Sequence, residues 1–299
     1  MHVVMGASGN TGHIVANNLL ARGEKVRAVG RNHAHLQTLA SKGAEPFIAD
    51  VTDAGALAKA FHAADSAYVL IPPNPTSKDP LGYSNRVSDA IAAAVHKAGT
   101  KNVVVLSSIG AELSSGTGPI VGLHNLEEKL NQIREANVIS LRCAYFMENT
   151  LPQVNAIRQT GNAAGPVIPD LKIPMIATRD IGNVAAEILL HPTINRKQTR
   201  ELLGQRDLSY NEVASSIGKA IGKPGLKYAQ VSDDQFRSVL VQSGMSEPVA
   251  NLLVEMVQAL NSGKMHSLES RTPQNTTPTS YETFVADTIE PAYRQQAAA

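Results

Sequence analysis

Gly6-Ala7-Ser8-Gly9-Asn10-Thr11-Gly12 follows a short apolar run at 2–5 and opens a helix-like stretch at 10–22. In that stretch Val15 and Leu19, and Ala16 and Leu20, recur at i,i+4. A chain that turns sharply from strand into helix needs glycine where the backbone bends and where an anion must approach without a Cβ in the way. Gly6 is read as the turn, Gly9 as the point of close approach, and Gly12 as the residue that lets helix pack on sheet. The helix start offers unpaired N–H groups and the positive end of its dipole to a pyrophosphate. The stretch therefore predicts a dinucleotide site, with Ser8, Asn10 and Thr11 set among its glycines.

Outward from this stretch the same rhythm repeats. Apolar runs rich in Val and Ile fall at 2–5, 25–29, 45–48, 67–71, 102–106 and 138–141. Their nearly continuous apolarity is that of strands buried on both faces. Between them lie helical stripes. Val87, Ile91 and Val95 mark one over about 82–98, and Leu123, Leu126, Leu130 and Ile133 mark another over 122–135. Strands alternating with helices predict an α/β fold, a Rossmann-type doubly wound parallel sheet built by right-handed crossovers.

After about Phe146 the rhythm weakens. The stretch 161–174 carries breaks at Gly161, Gly165-Pro166 and Pro169 and reads as loop. A helix is predicted from Thr178 to Leu190, stopped by Pro192, and a strand near 201–203. Further helices are predicted near 209–221 and 248–260, and the closing stretch 295–299 is expected to fray. The expected organisation is a dinucleotide-binding domain over 1–150 and a smaller α+β substrate lobe over 151–299. The segment at about 173–203 is expected to return to the main sheet.

Composition narrows the function. Among 299 residues, 27 Lys and Arg balance 26 Asp and Glu, and only 12 residues are aromatic, none of them Trp. Such a chain has neither the field nor the stacking platforms of a dedicated nucleic-acid binder. No run approaches the ~18 apolar residues of a membrane span, and the N-terminal stretch does not read as a secretory signal. The single cysteine, Cys143, fits a reducing compartment. A cytoplasmic protein acting on a small molecule is the expectation, with no membrane or direct nucleic-acid partner and with a homodimer left open. No Walker loop, H-E-x-x-H, G-x-S-x-G or paired cysteines occur, and no metal site is expected.

The choice of cofactor turns on the end of the second run. NAD binders usually place an acid there, about 20 residues beyond the loop, to accept from the ribose 2′-hydroxyl. This chain reads Val29-Gly30-Arg31-Asn32. A guanidinium can grip a 2′-phosphate that a carboxylate would repel, so Arg31 favours NADP(H) over NAD(H). Asp50-Val51 follows the third run, where a carboxylate can meet the adenine amino group or cap a helix over 52–61. Ligands of open α/β sheets bind beyond the carboxyl ends of the strands. The residues expected there are Ile71 and Pro72, then Ser107 and Ser108 after the fifth strand, and Tyr145 and Phe146 after the sixth.

The Gly6–Gly12 spacing resembles that of the extended and atypical short-chain dehydrogenases/reductases. That resemblance implies a Ser after the fifth strand and a Tyr-x-x-x-Lys on the following helix. The chain departs here, reading His124-Asn-Leu-Glu-Glu128-Lys129. At about 100° per residue, Lys129 lies ~140° from His124 and cannot stand in for the missing Lys. As a whole the sequence resembles the NmrA-like family, which includes NADPH-dependent quinone reductases and redox-sensing regulators. The features are Gly6–Gly12, Arg31, Ser107-Ser108, His124-x-x-x-Glu128-Lys129, Leu141–Asn149, Thr178–Ile181 and Thr277–Phe284, which span nearly the whole chain. One departure is Cys143-Ala144, where members often read Pro-Gly.

The resemblance implies hydride transfer from NADP(H) to a quinone or another conjugated carbonyl or imine. The other reading it allows is a non-catalytic NADP(H) sensor acting through a protein partner. His124 is read either as an acid or hydrogen-bond donor to a quinone oxygen, or as a structural residue pairing with Glu128. Ser107 or Ser108 would orient a carbonyl or satisfy the strand end, and Tyr145 and Phe146 would wall the nicotinamide. Cys143 is read as inert packing and Asp180 as the cap of its helix. Leu252, Leu253, Met256 and Leu260 either roof a pocket for a flat apolar substrate or fill a core.

Overall fold

The computed structural model describes residues 1–192 and 195–295. Its first half alternates strictly. β1 (His2–Met5) leads to α1 (Asn10–Ala21), and β2 (Val26–Gly30) to α2 (Gln37–Ala40). β3 (Glu45–Ile48), α3 (Ala54–Ala60), β4 (Ser66–Val69) and α4 (Pro80–Ala98) follow, then β5 (Asn102–Ser108), α5 (Ile120–Asn131) and β6 (Asn137–Cys143).

Beyond these come β7 (Tyr145–Phe146), α6 (Gln153–Thr160), β8 (Ala163–Gly165), β9 (Ile173–Ile176) and α7 (Thr178–Leu190). β10 (Lys197–Leu202), β11 (Asp207–Leu208), α8 (Tyr210–Ala220) and β12 (Tyr228–Gln230) continue the chain. α9 (Asp233–Gln242), α10 (Glu247–Asn261) and α11 (Tyr281–Phe284) are last, the final one running through a π turn into α12 (Glu290–Gln295). Of the closing stretch expected to fray, residues 296–299 lie outside the described ones.

Seven strands form one all-parallel sheet in the order β10-β6-β5-β4-β1-β2-β3. This is a Rossmann-like α/β fold. The chain winds one way from β1 through β3 and the other way from β4 through β10, so the strand order reverses between β1 and β4. That switch point is where open sheets part their loops and admit a ligand. Val4, Ala28, Tyr68, Val104 and Ile139 face α1 and α7 on one side of the sheet. Val3, Val29, Val69, Val103 and Val138 face α3, α4 and α5 on the other. Each fully buried Val or Ile contributes about 1.5–3 kcal/mol, and this two-faced burial explains their nearly unbroken apolar runs. The edge strand β3 is half-exposed and carries Pro46, which blunts it against pairing with another chain.

Several boundaries differ from the sequence reading. β5 runs two residues further, so Ser107 and Ser108 lie on the strand and not after it, paired in register with Arg142 and Cys143 of β6. The stretch read as loop at 161–174 contains β8, which pairs in parallel with the distant β12. Asp50 does not cap the third helix. Asp53 does, accepting from Gly55 N and Ala56 N at 2.8 and 3.0 Å, while Asp50 closes a turn onto Thr52.

Nor does Asp180 cap α7, where the Glu148 carboxylate accepts from Thr178 N and Oγ1 instead. Asp180 is buried and accepts from Thr279 N and Oγ1 at 3.0 and 2.7 Å, which ties the C-terminal segment to the sheet domain. α7 packs along α1, with Gly182 set against Ile14, and β10 joins β6 at the sheet edge. β9 instead enters a small three-stranded sheet with β7 and β11. A separate core of Met147, Ile173, Met175, Tyr210, Ile217 and Tyr281 holds the second half together.

Candidate active site

The glycine loop is built as its spacing requires. Gly6 has φ +60°, a left-handed conformation that glycine adopts without strain, and a Cβ there would lie 2.9 Å from the Leu70 side chain. A Cβ on Gly12 would fall 2.3 Å from the Gly6 carbonyl oxygen, so helix and turn touch backbone to backbone. Gly9 precedes α1 with extended geometry, and no side chain caps the helix and no acid occupies its first turn. A Cβ on Gly9 would meet only the Gly6 oxygen, at 3.3 Å. Uncapped N–H groups facing open space suit a pyrophosphate, so the residues present fit a dinucleotide.

Thr11 is anchored from beneath by the buried Tyr68, whose hydroxyl donates to Thr11 Oγ1 at 2.9 Å. A recess of about 550 Å³ beside the loop is bounded by Ser8, Gly9 and Asn10, and also by His13, His35 and Thr38. The last three carry no motif, and only their place in the fold reveals them.

Arg31 is exposed at the end of β2 and forms no ion pair among the described residues. It lies near Asp50, whose carboxyl is held below the usual carboxylate range first by the Thr52 N–H, then by the Thr52 hydroxyl, and also by the Arg31 charge. Val51 is buried beside it. The same charges reach Tyr83 on α4, whose hydroxyl burial pushes up. Arg31, Asp50 and Tyr83 therefore share one end of the sheet's carboxyl edge.

At the other end of that edge a cavity of about 670 Å³ opens over β4, β5 and β6. Its floor is Leu70, Ile71, Ser107, Ser108, Cys143 and Tyr145, with Phe146 and Leu123 at the walls. Met256, Val257 and Leu260 of α10, with Met265 and His266 beyond it, roof the space. Of the α10 stripe read as roof or core, Met256 and Leu260 therefore line the cavity. Pro73, the neighbour of Pro72, also lines it.

The expected polar residues are placed unevenly. Ser107 is buried and its hydroxyl donates to Glu127 Oε1 at 2.5 Å. Ser108 donates to the Ile109 carbonyl at 2.9 Å. His124 is not among the residues lining the cavity, although its neighbour Leu123 is. Its Nδ1 lies 2.8 Å from the Ala111 carbonyl, so it pins the loop before α5, and no bond joins it to Glu128 among the described residues. Tyr145 turns its ring to the cavity, while its hydroxyl meets that of the buried Tyr210 at 2.9 Å. Burial pushes the Cys143 thiol up, which keeps it inert.

Sequence reading missed the charge network beneath the floor. Arg142 reaches Glu127 at 2.7 Å and Glu112 at 3.3 Å, with the Glu127 side chain only 4% exposed. Glu127 sits between the core positions Leu126 and Leu130, and only the register of β5 on β6 brings Arg142 and Ser107 to it. Removing one partner of a buried pair strands the other charge. Arg142→Met is therefore expected to lower unfolding free energy by about 3–5 kcal/mol, whereas Arg142→Met with Glu127→Leu recovers most of the loss. Chemical denaturation of both variants measures this; equal stability of the single variant and the parent would show the network to be dispensable.

A sequence model of the NmrA-like family matches residues 2–285. The chain is 25% identical over 295 residues to Prestalk A differentiation protein A of Dictyostelium discoideum, covering 96% of this chain and 92% of that one. It is 24% identical over 262 residues to Quinone oxidoreductase 2 of Escherichia coli, covering 85% and 86%. Among solved structures, an NADPH-dependent quinone oxidoreductase from Escherichia coli complexed with NADPH has a TM-score of 0.81 at 22% identity, covering 96% and 99%. At that identity the likeness speaks for the fold.

Proposed function

From the premise that this chain belongs to the NmrA-like family, we propose that it is an NADP(H)-dependent oxidoreductase. It transfers hydride to a quinone or another conjugated carbonyl or imine. The observation that carries the reading is the continuity of loop and cavity. Leu70, which packs under Gly6, also lines the 670 Å³ space, so a cofactor held by the loop would end at an apolar chamber. NADPH, when bound, supplies the hydride.

The chain's own residues bind and orient. The first-turn N–H groups of α1 hold the pyrophosphate, and Arg31 holds the 2′-phosphate, which gives the preference for NADP(H). Asp50 with Val51 borders the adenine end, and Ile71, Tyr145 and Phe146 wall the nicotinamide. The apolar roof of Met256 and Leu260 takes a flat acceptor and sheds its water. The serines of the floor are already hydrogen-bonded, so neither is free to serve as the acid. The relatives named as quinone oxidoreductases support this acceptor class. A cytoplasmic setting agrees with the single buried cysteine.

Leu260→Trp tests the chamber. The indole fills space above the floor, so kcat/KM for a naphthoquinone is expected to fall by ~10-fold or more, as one or two lost methylene-sized contacts would do. NADPH affinity stays within about twofold, because Leu260 lies outside the loop. The chain has no other tryptophan, so quenching of this one also reports entry of the acceptor. Unchanged naphthoquinone kinetics would place the substrate elsewhere.

A further inference from the structure

Of the polar side chains that line the cavity, Asn149 and Ser267 have no side-chain partner among the described residues. An amide and an alcohol do not give up a proton near neutral pH, and most of the other polar side chains are already committed. Ser107 donates to Glu127 and Ser108 to Ile109, and Tyr145 bonds to Tyr210. Lys172 pairs with Glu212 and Asp207 with Arg271. His266 differs. Its Nδ1 lies 3.0 Å from the Gly263 carbonyl, and no partner meets Nε2 among the described residues. A carbonyl oxygen only accepts, so Nδ1 carries a hydrogen. The neutral ring then holds a lone pair at Nε2, and the protonated ring holds an N–H there.

The segment that carries His266 is fixed on both sides of it. Met265 N donates to the Ala259 carbonyl at 3.0 Å, and Lys264 Nζ to the Ser115 carbonyl at 3.0 Å. Leu268 N and Glu269 N each donate at 2.9 Å to the carboxylate of the buried Glu201 on β10. The imidazole thus stands on a held strap at the cavity roof. The residue is exposed enough to exchange protons with water.

We propose that His266 is the proton donor to the acceptor's oxygen, acting through Nε2; this rests on the hydride-transfer reading above. Hydride arriving at a conjugated carbonyl leaves the electron pair of the C=O π bond on oxygen. The Nε2–H bond breaks, the proton forms an O–H bond, and its electron pair stays on Nε2 as neutral imidazole. Water returns the proton. One hydride and one proton give the two-electron-reduced keto tautomer of the quinone, with NADPH as the reductant. Its sp3 C–H then loses a proton to water and the second oxygen gains one, which yields the aromatic hydroquinone.

The test compares two acceptors. 1,4-Naphthoquinone needs a proton on oxygen, whereas a cationic triarylmethyl dye is neutralised by hydride at carbon and needs none. In His266→Ala and His266→Gln, kcat/KM for the quinone is expected to fall by ~100-fold, the lower end of general acid catalysis. The same ratio for the dye stays within about twofold, because no proton is transferred to it. Equal loss with both acceptors, or loss with neither, overturns the assignment.

Binding supplies a readout apart from turnover. 4-Nitrophenol bound beside NADP+ is expected to lose phenolate absorbance and affinity by ~10-fold in His266→Ala, as a charge-assisted hydrogen bond is removed. Unchanged binding overturns the role. Should the parent protein bind NADPH yet reduce neither acceptor, the hydride-transfer reading fails, and the nitrophenol result alone decides whether His266 donates to an oxygen in this cavity.

Discussion

Gly12→Ala is expected to cost both folding and binding. The new methyl would lie 2.3 Å from the Gly6 carbonyl oxygen, 2.7 Å from its carbon and 2.9 Å from the Met5 oxygen. All three are backbone atoms at the carboxyl end of β1, so no side chain can swing aside. Either α1 lifts from the sheet or the turn at Gly6 opens. Overpacking of this kind costs about 1–3 kcal/mol and sometimes more. Because the shift displaces the first-turn N–H groups, NADPH affinity should fall by ~100-fold, equivalent to about 3 kcal/mol.

Gly9→Ala separates the two effects. Its Cβ meets only one protein atom, at 3.3 Å, and Gly9 borders the recess beside the loop. Stability should stay near that of the parent while NADPH binding weakens. Denaturation curves beside fluorescence titrations with NADPH distinguish the pair. A Gly12→Ala protein that unfolds and binds like its parent would contradict the contact at the loop.

Arg31→Asp is expected to divide the two cofactors. The guanidinium is exposed, has no ion-pair partner among the described residues, and lies near Asp50 and Tyr83 at one end of the sheet's carboxyl edge. A hydrogen bond to a charged group is worth about 1.5–3 kcal/mol, and a carboxylate in its place adds repulsion. NADPH affinity should therefore drop by ~100-fold or more. NADH lacks the 2′-phosphate and should change by no more than about threefold. Isothermal titration with each cofactor measures the ratio. An equal loss for both would remove the 2′-phosphate from Arg31.

What could be read from the chain was whatever depends on local pattern. The glycine spacing beside a strand and a helix, and the doubly buried Val/Ile runs, are each written in a few consecutive residues, and the parallel sheet follows from them. What escaped depends on distant neighbours. Glu127 looks like an ordinary helix acid until β6 places Arg142 beside it. Asp180 occupies the first turn of a helix, as a cap-like acid does, yet Thr279, nearly a hundred residues later, takes both of its oxygens. β8 is three small residues whose only reason to be a strand is β12.

The two histidines show the same limit at the site. His124 stands on a clearly periodic helix where the expected Tyr-x-x-x-Lys is missing, but its ring bonds back to Ala111. His266 lies in an irregular strap with no periodicity, and only the fold brings it over the cavity.

Hydride transfer from NADPH to an acceptor in the 670 Å³ chamber can be measured directly. The most direct measurement mixes the purified protein and NADPH with a panel of benzoquinones and naphthoquinones and follows the absorbance of the reduced nicotinamide. Saturable, protein-dependent loss of that absorbance is expected with at least one quinone, and a weaker response when NADH replaces NADPH. Tight NADPH binding with no turnover of any acceptor would contradict hydride transfer, and would leave a nucleotide sensor in place of an enzyme.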